Sequence, residues 1–313
     1  MSQTTKRIDA VLEAARVKWG KAHCRTITAV ANTANVLAGK YLPVNYMKPD
    51  LTEVLGYVWF DDSSASDPAP SGLTLIGAVD VTSGDSAAVV AAALKVTLDA
   101  EVVGVTTAKA FKASTVSGAV VTVENKFIGA ITAESDPDST GFTRSSLVVG
   151  NGMDLGSTSD AIELSMQAQS VDITSNQTGG LIASQIYTGS SASLKMNLLE
   201  VSKERFDLLV GEVTGDSLTP AGGTKVVGYG ESRLFQSLDD LGGQLILHPI
   251  RLASDDYSSD VIFWKSAPKP QTLNFDGSAP QVMAVEFTAY LDVSKDTSIN
   301  LFAKGDWTQD LEA

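Results

Sequence analysis

The residues with the most chemical potential in this sequence are two histidines and two pairs of adjacent aspartates. His23 and His248 lie far apart in the chain, and His248 stands in the apolar segment LHPIRL beside Pro249. A histidine metal site would therefore need carboxylates to complete its ligand set. Because His248 falls at the end of a predicted strand, we expect its role to be structural.

The adjacent carboxylates Asp239–Asp240 and Asp255–Asp256 are of a kind that binds calcium or acts in acid–base chemistry. Neither pair has the glycine and acidic spacing of a calcium loop, so we interpret both as solvated loop charges. The segment GGTKVVGYG lacks the spacing of a phosphate-binding loop, and no G-x-S-x-G elbow occurs. The sequence therefore predicts no catalytic, cofactor-binding or metal-binding residue, and we expect a protein that is not an enzyme.

Length and composition indicate a β-rich protein of two domains. The 313 residues exceed the usual size of one domain, and 43% of them are apolar. Gly, Ser, Thr, Ala and Val are abundant, which favours strands and tight turns. Cys24 is the only cysteine, so an internal disulfide is excluded. We expect no membrane span, since no run of about 18 apolar residues occurs, and no signal peptide is evident in MSQTTKRIDA.

The net charge of −14 is unevenly distributed along the chain. Residues 1–34 hold six Lys/Arg against two Asp/Glu, residues 35–148 hold seven against thirteen, and residues 149–313 hold ten against twenty-two. Binding DNA by phosphate neutralisation requires clustered basic side chains. The acidic body argues against such binding, but it is compatible with a surface that DNA passes without being held.

Residues 1–38 are predicted to form an N-terminal amphipathic helix and arm. Ile8, Val11, Leu12, Ala15 and Trp19 have the spacing of one helical face, and Gly20 is a plausible end. We expect this helix, over residues 5–19, to dock on the acidic body of the protein or on a neighbouring subunit. A position on a membrane surface is the alternative.

Residues 39–148 are predicted to form a small α+β domain. Its expected elements are strands at Gly56–Asp62 and Leu73–Val81, a helix over Ser86–Ala100 capped by Asp85, and a β-hairpin that turns near Ser117–Gly118.

Residues 149–313 are predicted to form a β domain with a flanking helix. Ile162, Leu164, Met166 and Ala168 alternate with polar residues, which predicts a strand with one buried face. The alternation slips after Ala168, and a β-bulge near Gln169–Ser170 would explain this. Similar alternation recurs over residues 192–198 and 283–291, and Ser202 is the expected N-cap of a short helix.

Two resemblances arise from the order of these motifs. The segments YVWF (57–60), DP (67–68), TSGDSA (82–87), SGAVVTV (117–123) and STGF (139–142) resemble a small accessory module that recurs in bacteriophage virion proteins. The segments SMQAQSVDI, TGSSASLKMNLLEVSKERFDLLVG, LILHPI, VIFWKSAP and MAVEFTAYLDV resemble the tail tube protein family of tailed bacteriophages.

The second resemblance implies a β-sandwich or half-barrel with a flanking helix, in a subunit that oligomerises into stacked hexameric rings around a channel for DNA ejection. It implies other tail proteins as partners, namely a tape measure protein, a terminator and, where the tail is contractile, a sheath. Genomic DNA would pass without specific binding. The expected location is the tail of the virion, after synthesis in the host cytoplasm.

Two sets of residues follow as candidate sites. The predicted wet face that would line the lumen comprises Glu163, Gln167, Lys195, Glu286 and Thr288. The N-terminal helix and the long loop over residues 213–243 are the expected contacts between stacked rings, with the candidate residues Ile8, Leu12, Trp19, Thr219, Lys225 and Tyr229.

Two alternatives remain open. The first is a capsid or tail decoration protein or a surface adhesion module, which would be monomeric or trimeric rather than ring-forming. The second is a tail-associated glycosidase, for which the sequence offers no identifiable acid pair.

Overall fold

β-Strand is the predominant secondary structure of the chain. The computed structural model describes residues 15–103, 108–174, 182–199, 201–211, 217–218, 223, 226–227, 234–274, 281–309 and 311. The strands are β1 Ala15–Thr28, β2 Tyr41–Pro43, β3 Tyr46–Met47, β4 Glu53–Val54, β5 Gly56–Asp61, β6 Thr74–Asp80, β7 Thr115–Ser117, β8 Val120–Ile128, β9 Thr143–Val148, β10 Asn151–Asp154, β11 Glu163–Thr174, β12 Ile182–Leu198, β13 Ser217–Leu218, β14 Val226–Val227, β15 Gly243–Pro249, β16 Val261–Asn274, β17 Val282–Tyr290 and β18 Phe302–Lys304. The helices are α1 Ala87–Ala100 and α2 Lys203–Phe206, which continues into the π-helical turn Asp207–Gly211, and a 3₁₀ turn forms at Thr33–Asn35. The predicted mainly β, α+β fold class is confirmed.

One large antiparallel sheet organises the molecule. Its strand order is β11-β12-β17-β16-β15-β1-β8-β7, with β9 and β10 paired to β1 and β18 paired to β16. Strand β1 joins the two halves of the sheet, because its first part pairs with β15 and its second part with β8. On its other side β1 pairs first with β10 and then with β9.

The prediction of an N-terminal helix is wrong over Ala15–Trp19. These residues open β1, where Val17 and Trp19 are fully buried and Arg16 is exposed. The same residues that fit a helical stripe also alternate with a period of two, and pairing with β15 and β10 decides in favour of the strand. The rest of the predicted helix, residues 5–14, lies outside the described residues.

Strand β1 changes partners at a bulge around His23, where the register shifts between Ala22 and Cys24. Neighbouring strands approach each other closely here because glycines omit the side chain. A Cβ atom on Gly20 would lie 2.1 Å from the carbonyl oxygen of Asn151, and one on Gly150 would lie 2.1 Å from that of Gly129. Glycine is therefore required at this junction for steric reasons.

The residues 39–148 form an α+β unit, with α1 packed against β6 and β8. Val90, Ala91, Leu94 and Leu98 are its buried face. The predicted hairpin is confirmed by the pairing of β7 with β8.

The N-cap of α1 is Ser86, whose side chain accepts from the N–H of Val89, and not Asp85 as predicted. Asp85 instead accepts a hydrogen bond from the N–H of Thr82 in the preceding turn.

Two hydrophobic cores flank the sheet. One unites the α+β unit with residues of β15 and β16 and with Trp307 near the C-terminus. Trp307 stacks edge-on against Phe127 of β8, with ring centroids 5.5 Å apart. The other core lies beneath β12, β15, β16 and β17 and includes the π-helical turn. The predicted units 39–148 and 149–313 thus share both a sheet and a core.

A buried ion cluster joins β1 to the α+β unit. Arg25 in β1 and Arg144 in β9 lie 3.2 Å and 3.4 Å from the carboxylate oxygens of Glu134. The Glu134 and Arg25 side chains are each 3% exposed. Arg25 also donates to the carbonyl of Asn45, and Arg144 to that of Pro43. The cluster therefore fixes the loops around β2 against the central strand.

We predict that Glu134→Gln lowers the free energy of unfolding by about 3–5 kcal/mol, because it leaves the buried guanidinium of Arg25 and the half-buried one of Arg144 without this counter-ion. Glu124→Gln is the matched control, since Glu124 is 39% exposed and pairs with Lys112 at the surface. This control is expected to cost less than about 1 kcal/mol. Urea denaturation of both variants measures the difference, and equal effects would contradict the role assigned to the cluster.

We also predict a loss of stability in mild acid that depends on His23. Burial, with a smaller contribution from Arg25, lowers the pKa of His23 from 6.5 to about 4. Its Nδ1 accepts a hydrogen bond from the N–H of Gly150, which a proton at Nδ1 would break. Since the folded pKa is the lower one, the stabilisation is complete above pH 6.5 and is lost as the pH falls towards 4, by about 3 kcal/mol.

Unfolding free energies at pH 7 and pH 4.5 test this prediction. His23→Gln should show a smaller difference between the two pH values than the natural chain. An unchanged difference would show that other groups cause the acid sensitivity.

Candidate functional site

Four strands lie at one end of the sheet: β11, β12, β17 and the second half of β16. One face of β12, β17 and β16 is buried there, and β11 joins it only at Leu164, which is half-buried. Leu194 on β12 and Phe287 on β17 are fully buried there, against the core that includes Leu209 of the π-helical turn. Ser202 is the N-cap of α2, as predicted, and accepts from the N–H of Arg205. The short helix therefore closes the buried side of these strands.

The opposite side of the same four strands carries polar residues and faces solvent. We call it the open face. The structure places all five residues of the predicted wet face on it: Glu163, Gln167 and Lys195 are exposed, and Glu286 and Thr288 are half-buried. Their assignment to a lumen stays a prediction.

Next to these strands, the corresponding side of the sheet is covered. Further along, Ile246 of β15 and Trp264 of β16 are buried on the corresponding side, in the core shared with the α+β unit. The indole of Trp264 donates to the carbonyl of Ile299 at 2.8 Å, and Lys295 lies 5.0 Å from its ring centroid. The α+β unit and the C-terminal segment thus cover one half of the sheet and leave the other half uncovered.

A row of alternating charges crosses the open face. Glu163 is the register partner of Lys195, Lys195 of Glu286, and Glu286 of Lys269. Opposite charges directly across a ladder stabilise it by about 0.2–1 kcal/mol per pair. The two acidic and two basic side chains of the row have no net charge, although residues 149–313 as a whole are strongly acidic.

Lys269 is the residue of this row that the sequence analysis missed. It lies between Pro268 and Pro270 in the segment SAPKPQTLN, where two prolines hide the alternation of a strand. The neighbouring Gln271 donates to the carboxylate of Glu286 at 2.8 Å. A prediction that β16 continues beyond Pro268 would have required its register with β17, which the sequence alone does not supply.

Both edges of the four-stranded section are unpaired among the described residues. Strand β11 pairs only with β12. Strand β16 pairs with β15 as far as Ser266, and from Ala267 to Asn274 it pairs only with β17. Pro268 and Pro270 share one parity, and proline in a strand directs its missing N–H away from the ladder. They therefore reduce the donors on the β16 edge, whereas β11 has none of this protection.

The β11–β12 hairpin extends beyond the body of the protein. Strand β12 pairs with β17 only from Ser193 onward, so the residues before it are held by β11 alone. The register irregularity predicted near Gln169–Ser170 is confirmed, and the extra residue, Thr188, is on β12. The expectation of a continuous buried face is wrong beyond Leu164: Met166 is 62% exposed and Ala168 is exposed, since no core reaches them.

Only one of the predicted contacts between rings can be placed. Trp19 is fully buried, and its indole donates to the carbonyl of Ser266 at 3.2 Å. Its side chain is therefore a core element and does not reach another subunit, which corrects the prediction. Ile8, Leu12, Thr219, Lys225 and Tyr229 lie outside the described residues.

Several of the titratable side chains singled out in the sequence have local structural partners. His248 is buried and its Nδ1 lies 2.8 Å from Asp260, whose other oxygen accepts from the indole of Trp307 at 2.9 Å. Burial raises the pKa of the Asp260 carboxyl, against hydrogen bonds from Trp307 and His248. Asp239 pairs with Lys265, and Asp256 accepts from Ser258.

Among the described residues, no group of three or more His, Cys, Asp or Glu has the geometry of a metal site. In that same part of the chain, no helix is both long enough and apolar enough to cross a membrane. Comparison with known proteins adds no assignment, because no protein-family model and no curated protein sequence matches the chain.

The two faces of β17 should respond differently to mutation. We predict that Phe287→Ala lowers the free energy of unfolding by about 3–5 kcal/mol, since it empties a fully buried site. Thr288→Ala, one residue away on the open face, should change it by less than about 1 kcal/mol. Chemical denaturation of the monomer measures both, and a large effect at Thr288 would show that the face is covered.

Proposed function

We propose that this protein is a structural subunit of a bacteriophage tail tube, which forms stacked hexameric rings around a channel for DNA ejection. The observation that supports it best is the four-stranded section, which has one uncovered polar face and two edges that are unpaired in the part of the chain that the structure describes. The sequence resemblance supplies the number six and the virion setting. The role is structural, and we propose no reaction for it.

The directions of the edge strands suit ring closure. In the order β11-β12-β17-β16 each strand is antiparallel to the next, so β11 and β16 run in opposite directions. When β11 of one copy pairs with β16 of the next, that pair is antiparallel too. Repetition of a heterologous contact of this kind closes into a ring if the rotation allows it, and closure removes the open edges.

The charge row continues across the proposed seam between copies. Lys269 ends the row on β16, and Glu163 begins it on β11. Side by side they extend the alternation of acidic and basic side chains around the whole ring. A lumen with this wall carries no net charge from the row. Phosphates are then neither held nor strongly repelled, and DNA slides through the channel.

The position of the α+β unit agrees with this arrangement. It covers the half of the sheet next to β1 and β8, away from β11 and β12. In a ring whose wall is built from the four-stranded section, the unit lies outside the channel. Its size then does not obstruct the passage of DNA.

Electron microscopy of the purified protein tests the proposal. We expect six-fold rings, and tubes at higher protein concentration. Monodisperse monomers or trimers would contradict it, and they would favour a decoration or adhesion role.

The seam itself can be tested by charge exchange. We predict that Lys269→Glu raises the protein concentration needed for ring formation on the order of tenfold, because it places a carboxylate beside Glu163 of the next copy. Adding Glu163→Lys should restore assembly, although each variant keeps like charges within its own chain. Sedimentation velocity measures the ring fraction. If the double variant assembles no better than the single one, β11 and β16 do not form the seam.

A further inference from the structure

The projecting β11–β12 hairpin combines exposure with an almost complete lack of charge. Between residues 165 and 191 the only charged residue is Asp172, in a chain of which 19% is charged. The exposed large apolar side chains on it are Met166, Val171, Ile173, Ile186 and Tyr187, between 42% and 63% exposed. Depletion of charge with exposed apolar and aromatic residues is typical of the core of a protein interface.

Three of these side chains form one cluster. Val171 and Ile186 are direct register partners across the hairpin, and Ile173 is two residues from Val171 on the same face. We call these three residues the hairpin cluster. Asp172 accepts a hydrogen bond from Gln185 at 2.8 Å, which holds the two strands together beside the cluster.

An apolar groove lies at the opposite end of the same strands. Its volume is about 320 Å³, and it is lined by Phe206, Val210, Pro270, Gln271, Thr272, Leu273 and Met283. Met283 is the register partner of both Leu198 and Leu273, so the groove lies where β17 begins and where β12 and β16 approach their ends. Lys203 and Lys269, near Phe206 and Pro270, are exposed.

The hairpin cannot fill this groove within its own chain. The pairing places Tyr290, the last residue of β17, at the hairpin end and Met283 at the groove end. The part of β12 before Ser191 extends roughly 30 Å further from the groove at about 3.3 Å per residue. An occupant formed by this hairpin must therefore come from a second copy that is displaced along the strands.

We propose that the hairpin cluster of one copy inserts into the apolar groove of a second copy, and that this head-to-tail contact joins successive rings. The inference rests on the proposed function, for which it supplies the contact along the tube. Aliphatic side chains match the apolar lining, and the hairpin brings only one charged residue, Asp172, to a rim where Lys203, Glu204 and Lys269 are exposed. The hairpin cluster and the apolar groove lie at opposite ends of the same strands. The contact therefore repeats from ring to ring without closing and builds an open stack.

Two exposed positions allow the test without disturbing the monomer. Ile186→Asp places a charge in the hairpin cluster, and Thr272→Asp places one in the groove; both residues are exposed. Val293→Asp is the matched control, because Val293 is 83% exposed and outside both surfaces. Thermal unfolding of the monomers establishes that each variant folds.

We expect each of the first two variants to form single rings and to raise the concentration needed for tube elongation at least about tenfold, whereas Val293→Asp elongates normally. Rings of Ile186→Asp keep an intact groove, and rings of Thr272→Asp keep an intact hairpin. Mixed after separate assembly, they should give pairs of rings that do not grow further.

A cross-link provides a second measurement. In a Cys24→Ser background, Ile186→Cys and Thr272→Cys in one chain should join neighbouring copies through a short bismaleimide in tubes, while Val293→Cys with Thr272→Cys should not. If tubes form but the cross-link is absent, or if both aspartate variants elongate normally, the inference is wrong and the proposed function stands. If the natural chain forms neither rings nor tubes, the proposed function fails, and the inference fails with it.

Discussion

The proposed assembly follows from one constraint, the unpaired backbone groups along two strand edges. Among the described residues, strand β11 over its length and β16 from Ala267 onward each have an unpaired edge. A long exposed edge is a template for further pairing, and stable proteins cover, blunt or pair such edges. Here Pro268 and Pro270 remove two N–H donors from the β16 edge but leave its carbonyl acceptors, and β11 keeps both kinds of group. The strand pairing of the described chain is thus incomplete, and the proposed assembly would complete it.

The rest of the fold determines which part of the sheet remains available. Strand β1 carries the sheet from one unit into the other, and the bulge at His23 with the close contacts at Gly20 and Gly150 allows this change of partners. The buried cluster of Arg25, Glu134 and Arg144 then holds the α+β unit over its half. The four-stranded section lies outside the part of the sheet that this unit covers, and one of its faces stays exposed.

The sequence predicted the strands best where one face is packed. Residues 283–290 alternate strictly and form β17 with every second side chain buried, and the short helix after Ser202 has the expected cap. The prediction was wrong at Ala15–Trp19, because the spacing of the apolar residues there fits one face of a helix and also the alternation of a strand. It failed again at Met166, because the alternation says nothing about where the core ends. Lys269 was missed because register between distant strands depends on tertiary pairing.

The central claim is that the face carrying Glu163, Lys195, Glu286 and Lys269 forms the wall of a channel. A three-dimensional reconstruction of assembled particles by electron cryomicroscopy, at a resolution that shows side chains, tests it most directly. We expect a continuous β-barrel in which β11 of one copy lies beside β16 of the next and the charge row faces the lumen. Particles in which that row faces outward, or in which β11 and β16 stay unpaired, would contradict it.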